Sequence, residues 1–521
     1  VGQILEKRLR QLSAPALAGL VRGGQRGVER ECLRITPAGQ LARTPHSRAL
    51  GSALTNEYIT TDYSEALLEF VTPPQLTNWE TIQFLCDVHQ FVMERVGDEL
   101  LWPLSMPCSI SRDADVPLAE YGTSNIGRMK TVYRRGLGYR YGRIMQAIAG
   151  IHYNYSLPDA FWPLYQDLEG QSGDLQAFRS ATYLGAVRNV RRLDWLLLYL
   201  FGASPALCKT FVRGRTATGL EELDGGTLFG PHATSLRMSD LGYRNNAQAS
   251  LVVSANSLEE YVRDLYEATR VPRAEFEQIG VRVAGEYRQL NASQLQIENE
   301  FYSTIRPKRV TRPGERPTAA LRRGGVQYIE LRALDVSPWD PVGINQRQLR
   351  FLEVFLIYCL LQESPPISAA EQECIDRNHG LVARRGREPG LCLRRAGESV
   401  VMRDWAAAIC EDMVQVARLI DPGEQQGHVE AIRYQALAVE DPGRTPSATL
   451  LRELRGAGQT LAGYGLEVAG RNRDYFLALA PDLNRHRELL IAEAEASLAR
   501  QRQIEAADDQ PFDEYLARYL A

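Results

Sequence analysis

Apolar positions along the 521-residue chain follow two periods. A repeat of three to four residues runs through 3–21, 78–98 and 176–201, with Ile82, Leu85, Val88, Val92 and Val96 marking one face of the second stretch. That spacing predicts amphipathic helices. It returns at 256–270, at 346–362 and through much of 402–521. Between these stretches, 27–36, 64–72, 148–157 and 325–335 alternate β-branched or aromatic with polar residues, the period of half-buried strands. Pro/Gly-rich connectors fall at 103–107, 157–163, 222–231, 306–317 and 385–391. The expected fold is α+β, one large unit over residues 1–521. Its functional strands lie in about 20–345, and 346–521 forms a mostly helical C-terminal region.

Composition narrows the function classes. With 24% charged and 44% hydrophobic residues, the chain reads as globular and able to bury a core without staples. A net charge of −4 offers no polycationic field for nucleic acid. The most apolar run, Trp195 to Phe201, stops at Gly202 and is too short to span a bilayer. Only Lys7, Lys130, Lys209 and Lys308 are lysines, so arginine is the default cation and a single surface arginine carries little information. Eight scattered cysteines with no C-x-x-C pair make neither a zinc ribbon nor a secreted disulfide scaffold. Isolated thiols are expected, with Cys374–Cys392 as the alternative pairing. Together with an N-terminus that lacks signal-peptide architecture, this points to the cytoplasm.

What alternates on the strands carries the chemistry. Glu29 and Glu31 are two residues apart and share a strand face. So do His152, Asn154 and Ser156, and so do Glu330 and Arg332. Glu69 sits between Leu68 and Phe70, and Glu330 between Ile329 and Leu331, in segments too apolar for casual exposure. Any one strand of this kind can simply turn its polar side to water. If the polar faces converge, however, Glu29, Glu31, Asp62, Glu69 and Glu330 meet around His152. Two carboxylates ~4 Å apart repel by roughly 4 kcal/mol at an effective dielectric near 20, so such a cluster protonates, splays or holds cations. Oxygen donors with one imidazole and no thiolate suit magnesium, with manganese as the alternative, better than structural zinc. Carboxylate-held magnesium points to a triphosphate as co-substrate, hence to ATP. No standard phosphate loop accompanies it. The segment 202–210 ends in Lys209-Thr210 without the preceding glycine and reads as a turn between helices.

Several blocks resemble the proteobacterial glutamate–cysteine ligases. They include Gly27-Val28-Glu29-Arg30-Glu31, Ile59-Thr60-Thr61-Asp62, Glu65-Ala66-Leu67-Leu68-Glu69-Phe70, Tyr121-Gly122-Thr123-Ser124-Asn125 and Tyr328-Ile329-Glu330-Leu331-Arg332. Residues 102–107, 199–205, 234–237, 295–300 and 305–310 continue the match in order, with 364–400 the least similar part. The resemblance implies a glutamine-synthetase-like curved antiparallel sheet forming an active-site funnel among helices. It implies ATP-dependent joining of L-glutamate to L-cysteine through a γ-glutamyl phosphate, the first step of glutathione synthesis, with feedback inhibition by glutathione. A monomer with small-molecule substrates, without nucleic-acid or membrane partners, is expected.

By the same resemblance, Glu29, Glu31, Asp62, Glu69, His152 and Glu330 are the metal set. Arg332, Glu330 and Arg134 are the catalytic candidates, and Lys130 joins Arg332 in binding the nucleotide. Arg237 suits a substrate carboxylate, and Tyr133, Tyr243 and Tyr302 shape a cysteine pocket. Two alternatives stay open at this point. One is a related ligase with a different small amine. The other is an RNA- or phosphate-binding protein using Arg306, Lys308, Arg309, Arg312, Arg316, Arg322 and Arg323.

Overall fold

The computed structural model describes residues 2–212, 219–242, 251–312, 314–421 and 426–521. Tyr243 lies outside them. Seven strands form the main sheet: β1 (Gln25–Ile35), β2 (Ile59–Thr61), β3 (Leu67–Val71), β4 (Leu100–Leu101), β5 (Ile151–Ser156), β6 (Ile305–Lys308) and β7 (Tyr328–Leu334). Their order is β6-β7-β5-β1-β3-β2, with β4 paired to the end of β1, and every pairing is antiparallel. The four strands read from alternation are all present. β3 starts later than its apolar pattern because Ser64 and Leu67 close a turn, with the Leu67 N–H donating to the Ser64 carbonyl at 2.8 Å.

Alternation puts Val28, Cys32, Ile151, Tyr153, Ile329 and Leu331 on the back of the sheet, all buried. Helices Asn78–Met93 and Gln346–Leu361 pack on that side, and Leu175–Phe201 runs along β6 and β7. The apolar run Trp195 to Phe201 is core, as its length required. In the C-terminal region, Met402–Ile420 and Gly427–Glu440 stack on Gln346–Leu361, while Leu461–Ala478 packs on Asn78–Met93. No described helix is long and apolar enough to cross a membrane. This is the mixed α+β architecture expected from the alternation, built on one antiparallel sheet.

Four expectations change. The period over 3–21 is split into Gln3–Leu12 and Pro15–Arg22, because Pro15 disfavours helical backbone at Ala14 and lacks the N–H that would continue the ladder. The connector at 306–317 begins as strand β6. Pro307 is tolerated there because β6 is the edge of the sheet. Segment 202–210 is not a turn between helices: Ala206–Cys208 pairs with Thr227–Phe229 in a small separate sheet. Finally, Cys108 and Cys208 are joined by a disulfide across 100 residues of sequence, a pairing that spacing alone did not reveal. Cys374 and Cys392 remain separate thiols.

Candidate active site

Strand register assembles the acids. Glu29 on β1 lies opposite His152 on β5, Glu31 opposite Glu69 on β3, and Asn154 opposite Glu330 on β7. Directly opposed residues share a face of an antiparallel pair, so one polar row crosses four strands. Asp62 joins it where the chain leaves β2. Its N–H donates to the Leu67 carbonyl at 3.0 Å, and Arg134, from the helix Asn125–Tyr141, donates to its own carbonyl.

His152 stands in the middle of the row. Its Nδ1 lies 2.8 Å from Glu29 Oε2 and 3.9 Å from Glu330 Oε1, and its Nε2 is 3.6 Å from Glu31 Oε1. Two three-residue groups share this imidazole, Glu29–His152–Glu330 and Glu31–His152–Glu69, each with donor atoms within 4.8 Å of one another. Glu29 is also held by Asn154 Nδ2 at 2.9 Å, and Glu31 accepts the Gly150 N–H at 2.7 Å. Glu330 Oε2 is buried without a hydrogen bond, 3.5 Å from the Lys308 ammonium. The donor set is oxygen-rich with a single imidazole and no thiol, so these residues fit a hard divalent cation.

The electrostatics divide the row. Burial and Glu330 push the Glu29 carboxyl up, but the His152 hydrogen bond and Lys308 outweigh them and leave it below the ordinary value. Burial likewise opposes the charge on Glu330, yet Lys308, Arg332, His152 and Arg306 hold its carboxyl far below the usual range. At the other end, burial raises Glu31. Burial, reinforced by Glu29, Asp62 and Glu31, pushes Glu69 well above the carboxylate range. A divalent cation on Glu31, Glu69 and His152 would restore the ionised forms there.

A cavity of about 120 Å³ opens beside this end of the row. Glu31, Asp62 and His152 line it with the cations Arg134, Arg237 and Arg332. Tyr133 and Tyr302 form another part of its wall. Arg332 Nη1 reaches Glu330 Oε1 at 3.2 Å, and burial is outweighed by Glu330, Glu31 and Glu29 in keeping its guanidinium firmly charged. Arg237 donates to the Arg332 carbonyl at 3.1 Å and sits 3.6 Å from Asp335. Its guanidinium packs against Gly150, where a Cβ would run into it. Lys130 does not line the cavity. It lies over the Tyr121 ring, and burial, with Arg134 adding to it, lowers its ammonium to about 8.

Sequence reasoning missed Arg306, Lys308 and Glu300. Arg306 lies opposite Glu330 in the β6–β7 register and lines the cavity with Glu300. The signal was Arg306 and Lys308 two residues apart, as in the acidic strands, but Pro307 and the following basic residues disguised it as a connector. The supposed basic stretch is not one surface. Arg306 is buried, Arg309 donates to the Gly324 and Gly325 carbonyls, Arg316 pairs with Glu298, Arg323 with Glu315, and Arg322 lies over Tyr266.

A model of the glutamate–cysteine ligase family matches residues 9–382. The glutamate–cysteine ligase of Alcanivorax borkumensis is 51% identical, covering 99% of each chain, and that of Azotobacter vinelandii is 47% identical, covering 100% of this chain and 99% of its own. The crystal structure of glutamate–cysteine ligase from Francisella tularensis in complex with AMP is 37% identical. It superposes with a TM-score of 0.89 over 96% of this chain and 97% of that one. The bifunctional glutathione synthetase of Pasteurella multocida shares the fold at 23% identity, with a TM-score of 0.70 over 90% of this chain and 55% of its own. By the extent of the family match and by near-full-length identity to its members, the chain belongs to the glutamate–cysteine ligase family.

Proposed function

We propose that this chain joins the γ-carboxylate of L-glutamate to the amine of L-cysteine at the acid-lined cavity, converting ATP to ADP and phosphate. The reading is carried above all by the polar row across four strands, with two potential metal groups sharing His152 and opening onto a cavity rich in arginine. A carboxylate is a poor acyl donor, so the γ-carboxylate first attacks the γ-phosphorus of ATP. The cysteine amine then displaces phosphate from the γ-glutamyl phosphate. Phosphoryl transfer is governed mostly by positioning and charge neutralisation.

Glu29, Glu31, Asp62, Glu69, His152 and Glu330 would hold magnesium, which would neutralise the triphosphate when bound. Asn154 and the Gly150 N–H orient two of those carboxylates. Arg332, held by Glu330 on the same strand face, places a fixed cation toward the transferring phosphoryl group and the tetrahedral intermediate. Arg134 and Lys130 add positive charge from the helix Asn125–Tyr141. Arg237 takes a substrate carboxylate through its planar fork, and Tyr133 and Tyr302 close the pocket around the second amino acid.

An ADP-release assay with glutamate and, in turn, cysteine, 2-aminobutyrate, alanine and methylamine tests the reading. Turnover is expected to require magnesium or manganese, to stop with EDTA, and to favour cysteine. A preference for methylamine, or no ADP with glutamate plus cysteine, would overturn it.

A further inference from the structure

Behind the cavity wall lies a buried acid–imidazole pair that the chemistry above does not use. Asp194 comes from the helix Leu175–Phe201 and His379 from Ala369–Arg385. His379 Nδ1 is 3.1 Å from Asp194 Oδ2, and its Nε2 is 3.2 Å from the Met238 carbonyl. Both side chains are almost fully buried.

The Met238 carbonyl fixes one ring proton. A carbonyl only accepts, so Nε2 carries a hydrogen and donates to Met238. Asp194 Oδ2 accepts from Thr304 Oγ1 at 2.9 Å and faces His379 Nδ1 at 3.1 Å. The contacts of this buried pair end on two other segments, at Met238 and at Thr304.

Those segments are the cavity wall. Met238 Sδ accepts from Arg237 Nη1 at 3.0 Å and from the Tyr302 hydroxyl at 3.1 Å. Thr304, held by Asp194, receives the Arg332 N–H on its carbonyl at 2.8 Å. We infer that Asp194 and His379 are positioning residues for the amino-acid pocket, fixing Met238, and through it Arg237 and Tyr302, while anchoring the backbone beside Arg332. Neither touches a reacting atom. A buried polar pair is poor evidence of stabilisation by itself; here its contacts coincide with the segments that carry the groups facing substrate. The inference rests on the proposed reading of the cavity.

The test measures KM for glutamate, cysteine and ATP separately in His379→Gln, Asp194→Asn, Met238→Leu and, as reference, Arg237→Ala. The single side-chain nitrogen of glutamine cannot meet both Asp194 and the Met238 carbonyl, which the two ring nitrogens face. Leucine at 238 keeps the volume and removes the sulfur acceptor. Small displacements of positioning groups cost roughly ten- to a hundredfold, and His379→Gln and Met238→Leu are expected to raise an amino-acid KM by about tenfold, leaving KM for ATP within about twofold. Equal shifts in all three KM values, or none, would overturn the inference. If His379→Gln and Asp194→Asn fail to fold, Thr304→Val, which removes the hydroxyl that Asp194 holds, decides with Met238→Leu by the same readout. If Arg237→Ala itself leaves both amino-acid KM values unchanged, the reading of the cavity fails instead.

Discussion

The two faces of the main sheet both bury charge, and they do so in opposite ways. On the back, Arg26 of β1 pairs with Glu353, whose carboxylate is also reached by Asn78 Nδ2 at 3.2 Å and His428 Nε2 at 3.2 Å. His428 in turn contacts Asp421 at 2.7 Å, and further along the strand Arg34 pairs with Glu99 at 2.7 Å. Each acid there has a cation of its own. On the front, four carboxylates gather around one imidazole with Asp62 lining the adjoining cavity, and the Glu69 side chain makes no hydrogen bond or ion pair among the described residues. Arg332 and Lys308 both contact Glu330, while burial and neighbouring acids drive Glu69 toward its neutral form. A closed network on one face holds the sheet to its helices. The open, acid-rich row on the other is arranged for charge that arrives from outside the chain.

This difference sets the largest expected effect. Glu69→Gln or Glu330→Gln keeps volume and removes one acid from the front. If the front exists to hold divalent cations for phosphoryl transfer, loss of several kcal/mol of charge stabilisation lowers turnover about a thousandfold or more. In Glu69→Gln the thermal transition should stay near that of the parent, because Glu69 is engaged in no side-chain pair that the substitution breaks. Near-normal ADP release in Glu69→Gln would remove that residue from the metal set and weaken the contrast between the faces.

How far the sequence leads differs along the same line. The acid row was legible because strand period is two and the acids interrupt apolar runs: Glu29 with Glu31, His152 with Asn154, Glu330 with Arg332 all share faces as spaced. Register was not legible. Nothing local says that Glu31 faces Glu69, or that Arg306 faces Glu330 across an edge strand containing Pro307. Long-range side-chain pairing was hidden for the same reason. Asp194–His379 spans 185 residues of sequence and Arg26–Glu353 spans 327, joining helices and strands whose docking no periodicity records. Cys108 and Cys208 looked solitary because their proximity belongs to the packing of a loop against the small sheet.

The back face should respond in stability rather than in catalysis. Glu353→Gln leaves the Arg26 guanidinium buried without its counter-charge, and breaking one side of such a pair typically costs about 3 kcal/mol or more. Urea unfolding should show that loss, while KM values for all three substrates stay near the parent. A selective fall in turnover with unchanged stability would mean that the two faces are functionally coupled, and that the contrast drawn above is wrong.

The smallest effect is a pH dependence within that network. Burial opposes charge on His428, but hydrogen bonds and attraction to Glu353 and Asp421 overcome it, so its folded-state pKa lies above the ordinary 6.5. A raised value means that the folded chain holds the proton more tightly than the unfolded one. The stabilisation is therefore complete below 6.5 and fades as pH rises through the folded-state value. Comparing thermal unfolding of the parent and His428→Gln across pH 5.5 to 8.5 isolates the term. Their difference should be widest at the acid end and narrow toward the alkaline end. A gap that widens with pH would show that His428 is held neutral, and the closed network would then lack one of the cations that distinguish it from the front.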